Sequence, residues 1–431
     1  MYITIVGIIM LVVFMALILT KRTSALTALI VVPLVFGFIA GFGKDTFLYA
    51  MKGIIGVGTT ISMLAFAILY FGIMLCSGLF DPLGKIVLRL FKGDPFRVVL
   101  GTAILSALVS LDGDGTTTIM ICCAMLIPVY NKLKINPAYL AIFIIMPNGV
   151  INMLPWGGPT ARLLAVAKLD ANQLLIRLLP LMLVGLVSTF VMAAFAGMKE
   201  RKRLGIADID FEAKEIECSS DELELKRPQY IWFNLILTIL AIIAIIVVGI
   251  PGPLVFAIGS SIALTVNYRN LKDERKVINR NAEGIVHIVL MILGAGILMG
   301  ILSESGMAAA MAERFISVIP KSWGAMFNLL VAIISGPAVW ILNNDAFYFG
   351  LYPVMAETAT AYGFTSMQVG VASLMGQALR GFSPVIPALY FLTSYVNVEF
   401  SEFQKKMIPF CLIMFAIYIS AGFFMNIYFL N

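Results

Sequence analysis

Apolar positions in this chain come in long runs, with neither the alternation of a strand nor the one-sided stripe of a surface helix. Charge-free or nearly charge-free stretches occupy residues 2–19, 25–41, 55–79, 175–197, 229–249, 254–267, 285–302 and 408–430. A spanning α-helix needs ~20 mostly apolar residues, so the pattern predicts an all-α polytopic membrane protein. A transmembrane barrel would show shorter segments of alternating hydrophobicity. A mixed segment, Asp81 to Arg97 (with Lys85, Arg89 and Lys92), reads as amphipathic and interfacial, and a second mixed segment runs from Ser303 to Ser322.

Four further apolar runs are interrupted, and the interruptions are polar. The first breaks at Leu111-Asp112-Gly113-Asp114-Gly115-Thr116-Thr117-Thr118 and resumes to about Val129. The second, 138–153, breaks at Asn152-Met153-Leu154-Pro155-Trp156-Gly157-Gly158-Pro159-Thr160. A third break falls at Asn343-Asn344-Asp345, behind Gly336 and Pro337, and a fourth at Arg380-Gly381-Phe382-Ser383-Pro384. The spacing repeats. Pro128 and Pro353 are 225 residues apart, as are Pro159 and Pro384, which argues for internal duplication.

The chain therefore reads as a first repeat over 1–197, a charged linker over 198–228 and a second repeat over 229–431. The first repeat holds a re-entrant hairpin at about 97–130 and a broken helix at about 138–172. The second holds a hairpin at about 325–355 and a broken helix at about 365–395. With the N-terminus outside, the loops at 21–24, 80–97, 131–136, 198–228, 268–284 and 396–406 face the cytoplasm and carry most of the 30 Lys and Arg residues. The positive-inside rule asks for that bias. Both termini then lie outside, the linker is cytoplasmic, and the repeats, of about five crossings plus one hairpin each, are inverted. Inverted repeats with broken helices are a recurring plan for secondary transporters, which bind substrate near the midplane. A channel also accommodates re-entrant loops.

Composition narrows the classes further. Of 431 residues 61% are hydrophobic and 13% charged, about half the charge of a soluble domain. The net charge of +6 sits mostly in short loops, so it reports topology and a lipid bilayer partner, with no nucleic acid. Cysteines 76, 122, 123, 218 and 411 form no CxxC pair. His287 is the only histidine, so neither a Ser-His-Asp triad nor a multi-histidine metal site is available. An intramembrane aspartyl protease would need its aspartates in Gly-x-Gly-Asp settings. Leu111 and the Asn343-Asn344-Asp345 context lack that pattern, and no enzyme is expected.

Chemistry concentrates at the breaks. Placing a carboxylate in hydrocarbon costs at least ~2.5–3.5 kcal/mol, so Asp112 and Asp114 require partners or water. Gly113 and Gly115 free backbone carbonyls, and Thr116 adds a hydroxyl, an oxygen-rich set suited to Na⁺, Mg²⁺, Ca²⁺ or a proton. The other reading of this tip is a watery hairpin end whose aspartates only cap helices. Asn343, Asn344 and Asp345 offer amides and a carboxylate to a cation or a substrate carboxylate. Gly157, Gly158, Pro159 and Thr160 cannot continue an α-helix, and Arg162 beyond them suits bidentate carboxylate binding or interfacial snorkelling. Gln377, Arg380, Ser383 and Pro384 occupy the matching break. Arg380 reads as a substrate-carboxylate ligand or as the partner of a buried acid.

With these motifs placed, the sequence resembles the citrate–metal symporter family, within the wider superfamily of ion-coupled carboxylate carriers. The matching stretches are LDGDGTTT (111–118), NMLPWGGPTAR (152–162), NNDAFYFGLYPV (343–354), SPVIPALYFL (383–392) and VEFSEFQK (398–405). The resemblance implies an elevator-type fold with a scaffold and a transport domain, a homodimer, and uptake of a small carboxylate. That substrate would be citrate, as its complex with Mg²⁺ or Ca²⁺, driven by an H⁺ or Na⁺ gradient. It places Asp112, Gly113, Asp114, Gly115 and Thr116 at one tip, Asn343, Asn344 and Asp345 at the other, and Gly157, Gly158, Pro159, Thr160, Ser383 and Pro384 at the breaks. A dicarboxylate carrier or a cation/proton antiporter of the same architecture are the competing readings.

Overall fold

The computed structural model describes residues 2–20, 22–79, 82, 91, 93–113, 115–206, 224–318 and 321–430. Among them every regular element is helical. The first half runs α1 (Tyr2–Leu19), α2 (Ala25–Ile39), α3 (Asp45–Gly56), α4 (Gly58–Cys76), α5 (Pro95–Val109), α6 (Gly115–Leu133), α7 (Pro137–Ile151), α8 (Gly158–Ala167) and α9 (Ala171–Leu204). The second half runs α10 (Ile231–Ile243), α11 (Gly252–Asn267), α12 (Leu271–Glu304), α13 (Met307–Val318), α14 (Phe327–Ile341), α15 (Tyr352–Ala361), α16 (Ser366–Met375), α17 (Pro387–Tyr395) and α18 (Phe400–Phe424). Among the described residues eight helical segments are long and apolar enough to cross a membrane, and four shorter apolar helices lie among them.

The elements group by contact. α12 packs against α2, α3 and α4, and α11 against α4, while α9 packs on α5 and α14 on α16 and the turn after it. The α3–α12 crossing is unusually close. A Cβ on Gly53 would stand 1.9 Å from the Gly296 carbonyl oxygen and 2.8 Å from the Cα of Gly300. Small residues let membrane helices approach to backbone distance and gain dispersion contacts that lipid cannot supply. A buried amide pair joins α10 to α11. Asn234 and Asn267 exchange side-chain hydrogen bonds at 2.9 and 2.8 Å, and Asn234 also donates to Ser77. Paired this way, polar groups that would be costly alone fix one helix register.

Several boundaries differ from the hydropathy reading, each for a local reason. The run at 55–79 is two helices meeting at Val57, and α3 reaches back to Asp45. Lys44, Asp45 and Lys52 mask that helix from an apolar window. α12 begins at Leu271, inside the loop expected at 268–284. Asn270 caps it by accepting from the Lys272 N–H, and Asp273 and Glu274 favour the positive end of its dipole. α9 continues to Leu204, past the expected linker boundary, with Arg201, Lys202 and Arg203 in its last turn. At ~1.5 Å per residue these 34-residue helices outreach the ~30 Å hydrocarbon core, so their charged ends stand clear of it. The segment 303–322 forms α13 after a left-handed Gly306. Most of 81–97 lies outside the described residues.

Four interruptions remain, where the sequence puts them. α5 and α6 are joined by a tight turn over Ser110–Asp112 and Gly113, whose φ of +80° is open to glycine without strain. α14 and α15 are joined through Asn343, whose Oδ1 accepts from the Ala346 N–H, and a π-helical turn over Ala346–Leu351. α7 and α8 are separated by 152–157, and α16 and α17 by a 3-10 turn over Gly376–Phe382 and an extended Ser383.

Candidate functional site

The break at 152–157, in the first of the two broken helices and called the first break from here on, is packed against an aromatic cluster. Trp156 stacks on Phe71 (5.3 Å between ring centres) and meets Phe256 edge-on (5.0 Å), while Tyr70 packs on Phe256 and bonds the Thr238 hydroxyl. The Trp156 indole N–H donates to the Leu111 carbonyl at 2.9 Å, tying the first break to the first hairpin tip. Within the break, Asn152 Oδ1 accepts from the Gly158 N–H at 2.9 Å and the Thr160 hydroxyl donates to the Met153 carbonyl at 2.8 Å. Gly157 has no room for a side chain, since a Cβ would come within 2.0 Å of the Asn152 carbonyl oxygen. Backbone groups freed by an interrupted membrane helix need such partners.

Both tips and both breaks face one cavity of about 360 Å³. The first hairpin contributes Gly113, Gly115 and Thr116, and the first broken helix Asn148, Asn152, Gly158, Pro159 and Arg162. The second hairpin contributes Asn343, Asn344 and Asp345, and the second break Gln377, Arg380 and Gly381. Cys411 and Tyr418 of α18 complete the wall. Residues far apart in sequence and drawn from both halves therefore meet in a space of the size small-molecule sites occupy.

Of the residues expected at the site, Asp112, Gly157, Thr160, Ser383 and Pro384 do not line the cavity. Asp112 sits in the turn before Gly113, and Asp114 lies outside the described residues. Ser383 is buried, with its hydroxyl donating to the Trp340 carbonyl at 2.6 Å and accepting from the Val385 N–H, so it shapes the break from behind. The Pro384 carbonyl accepts from the Tyr390 hydroxyl. Asn148, Asn152, Cys411 and Tyr418 line the cavity without having been singled out. Asn148 carried a readable signal, a lone amide in an apolar run. Its amide donates to Ser110 at 3.1 Å, which steadies the first tip.

The charges are arranged unequally. Arg162 Nε donates to Asp345 Oδ1 and its Nη1 to the Gly158 carbonyl, a salt bridge that joins the first broken helix to the second hairpin tip. The Arg380 guanidinium makes no hydrogen bond or ion pair among the described residues, while its carbonyl accepts from the Ser383 N–H. Gln377 donates weakly to Asn344 (3.4 Å) and Tyr348 (3.3 Å), while its Oε1 and the Tyr418 hydroxyl are buried without partners. Buried polar atoms are rarely left so in native proteins. A cavity lined by an unpaired guanidinium and the amides of Asn148, Asn152, Asn343 and Asn344 suits a polar ligand. Among the described residues no three His, Cys, Asp or Glu side chains are close enough to hold a metal ion.

A polytopic helical bundle whose broken helices enclose a polar, charge-bearing cavity is a multi-pass membrane transporter, not an enzyme. Comparison with known proteins agrees. The family described as citrate transporter matches residues 9–376, and this chain belongs to that family. It is 45% identical over 401 residues to the citrate transporter of Bacillus subtilis (strain 168), covering 93% of both chains. It is 40% identical over 404 residues to the Mg(2+)/citrate complex secondary transporter of the same organism, again covering 93% of each. Among solved structures it shares the fold of the Alcanivorax borkumensis YdaH transporter, with a TM-score of 0.62 at 15% identity over 89% of this chain and 88% of that one.

Proposed function

We propose that the protein is a secondary transporter that takes up citrate as its complex with a divalent cation, Mg²⁺ or Ca²⁺, coupled to a proton or cation gradient. The charge of the cavity carries this reading. Its described lining holds Arg162, Arg380 and Asp345, and the Arg162–Asp345 pair leaves one unmatched positive charge, on Arg380. Citrate alone is a trianion and would bring two negative charges that nothing there offsets. Its complex with a divalent cation is a monoanion and matches. Each uncompensated ion taken out of water costs several kcal/mol, so this match separates the two forms strongly.

The metal then travels as part of the substrate, already ligated by citrate carboxylates. Mg²⁺ commonly keeps such mixed shells, with one or two protein carboxylates and several waters. Gly113, Gly115 and Thr116 at the first tip and Asp345 at the second are the oxygen-bearing cavity groups assigned to its side of the complex, with Asp112 supporting the tip from the turn before Gly113 and Asp114 proposed for the same side. Gly157, Gly158, Pro159, Thr160, Arg162, Asn343, Asn344, Gln377, Arg380, Ser383 and Pro384 build or support the carboxylate side. Moving a monoanion inward against an inside-negative potential costs ~2.3 kcal/mol per 100 mV, which is the reason for a co-transported H⁺ or Na⁺. We read the halves as inverted repeats in a homodimer, with the hairpins and broken helices moving against the rest, the termini outside and the linker in the cytoplasm.

A thermal-shift screen of citrate, malate and succinate against Mg²⁺, Ca²⁺, Zn²⁺ and Na⁺ tests the substrate. A ligand that binds only the folded state stabilises by ~2.7 kcal/mol at a hundredfold excess over Kd. Citrate plus Mg²⁺ or Ca²⁺ is expected to raise Tm beyond either alone. Stabilisation by malate or succinate without metal would favour a dicarboxylate carrier, and by cations without any organic anion, an antiporter.

A further inference from the structure

A second hollow, of about 630 Å³, lies away from the transport cavity where the turn between α6 and α7, the end of α9 and the start of α18 come together. Among the described residues its lining is strongly basic, with Lys134, Lys199, Arg203 and Lys406 around one acid, Glu200. Glu200 is already committed. It is 4% exposed, accepts from the Asn136 N–H at 3.1 Å and is held by the Arg203 guanidinium, which also donates to the Lys134 carbonyl at 3.0 Å. That network fixes the turn carrying Lys134, which sits in the left-handed region at φ +55°. Lys406 pairs with Glu402, whereas the exposed ammonium groups of Lys134 and Lys199 have no hydrogen-bond or ion-pair partner among the described residues.

We propose that this hollow is a binding site for a phosphate-bearing polyanion. Among the described residues the lining carries four basic side chains against Glu200, and two of the four, Lys134 and Lys199, keep exposed ammonium groups without a partner. Residues 178–198 of α9 are free of charge and, at ~1.5 Å per residue, span the ~30 Å hydrocarbon core, so Lys199 and Arg203 stand at headgroup level. Basic pockets at that level suit the phosphate of an anionic lipid, and the open mouth equally admits a soluble phosphate ester. The hollow is distinct from the transport cavity, yet it touches α6, α7 and α18, three elements that line that cavity. A polyanion bridging Lys134 to Lys199 would tie the foot of the first hairpin to α9 and so alter the rate of transport without touching its substrate.

The full-length protein, purified in detergent and in phosphatidylcholine nanodiscs, tests this. Inorganic pyrophosphate is titrated in detergent, and phosphatidic acid is titrated into the nanodiscs with bound lipid counted by native mass spectrometry. Each basic residue near a membrane surface contributes ~1 kcal/mol to anion attraction, so the Lys134→Gln/Lys199→Gln double variant should bind about 20- to 30-fold more weakly. Binding in the nanodisc arm alone identifies a lipid headgroup, and binding of pyrophosphate as well identifies a site open to soluble phosphates. The Lys272→Gln/Arg275→Gln variant, exposed basic residues of α12, should bind like wild type. No binding in either arm, equal affinity of wild type and the Lys134/Lys199 variant, or an equal loss in the α12 variant would overturn the proposal.

Discussion

Replacing Arg380 by glutamine separates a ligand-binding arginine from a structural one. Its guanidinium faces the cavity and has no hydrogen-bond or ion-pair partner among the described residues. Two effects follow with opposite signs. A charge-assisted hydrogen bond contributes ~1.5–3 kcal/mol, so losing Arg380 should weaken binding of the citrate–metal complex about 10- to 150-fold. In the empty protein the same change removes an uncompensated charge from a low-dielectric space, so Tm should stay level or rise. A structural arginine would do the reverse, lowering Tm and taking affinity down with it. Arg380→Lys keeps the charge but loses the planar two-donor fork, and should fall between wild type and Arg380→Gln. The assay is isothermal titration with citrate at saturating Mg²⁺, beside a thermal melt without ligand. Unchanged affinity, or a lowered Tm in the empty protein, would refute the reasoning.

Arg162 and Asp345 should behave as a unit. Arg162→Gln or Asp345→Asn alone strands a charge and lowers Tm, while the double variant recovers part of the loss, with a coupling of about 1–3 kcal/mol in a double-mutant cycle. Gly157→Ala places a methyl 2.0 Å from the Asn152 carbonyl oxygen and should prevent the first break from forming, seen as lost ligand-induced stabilisation and a lower Tm. Gly149→Ala, in the last turn of α7 and with nothing within 4 Å of the added methyl, should melt at or above the wild-type temperature. Trp156→Phe keeps the ring stack on Phe71 but deletes the bond to the Leu111 carbonyl, costing about 1 kcal/mol in stability by chemical denaturation.

The breaks were legible in the sequence because glycine, proline and charge inside an apolar run leave few alternatives. Gly113, Gly157 and Asn343 each stand at an interruption that the structure contains. Pairing across the halves was not legible. Nothing in the sequence couples Arg162 to Asp345, 183 positions apart, and only packing shows that one arginine is neutralised while Arg380 is not. Nor did the sequence show that Ser383 turns its hydroxyl to Trp340, away from the cavity, since a serine at a break suits either role. Helix ends escape a hydropathy pattern where charge and helix propensity coexist. Lys44, Asp45 and Lys52 break the apolar window at 45–54, yet α3 forms there with Asp45 in its first turn and packs on α12. At 271–284 the Asn270 cap and the dipole-matched Asp273 and Glu274 start α12 inside a polar stretch.

Dual-label uptake into proteoliposomes tests the central claim most directly, that the cavity takes citrate with its cation. With an imposed inward proton or Na⁺ gradient, labelled citrate and labelled Ca²⁺ should enter together at one to one, and chelating the metal should stop citrate entry. Citrate uptake that persists at full rate without any divalent cation, or metal entry independent of citrate, would contradict the account.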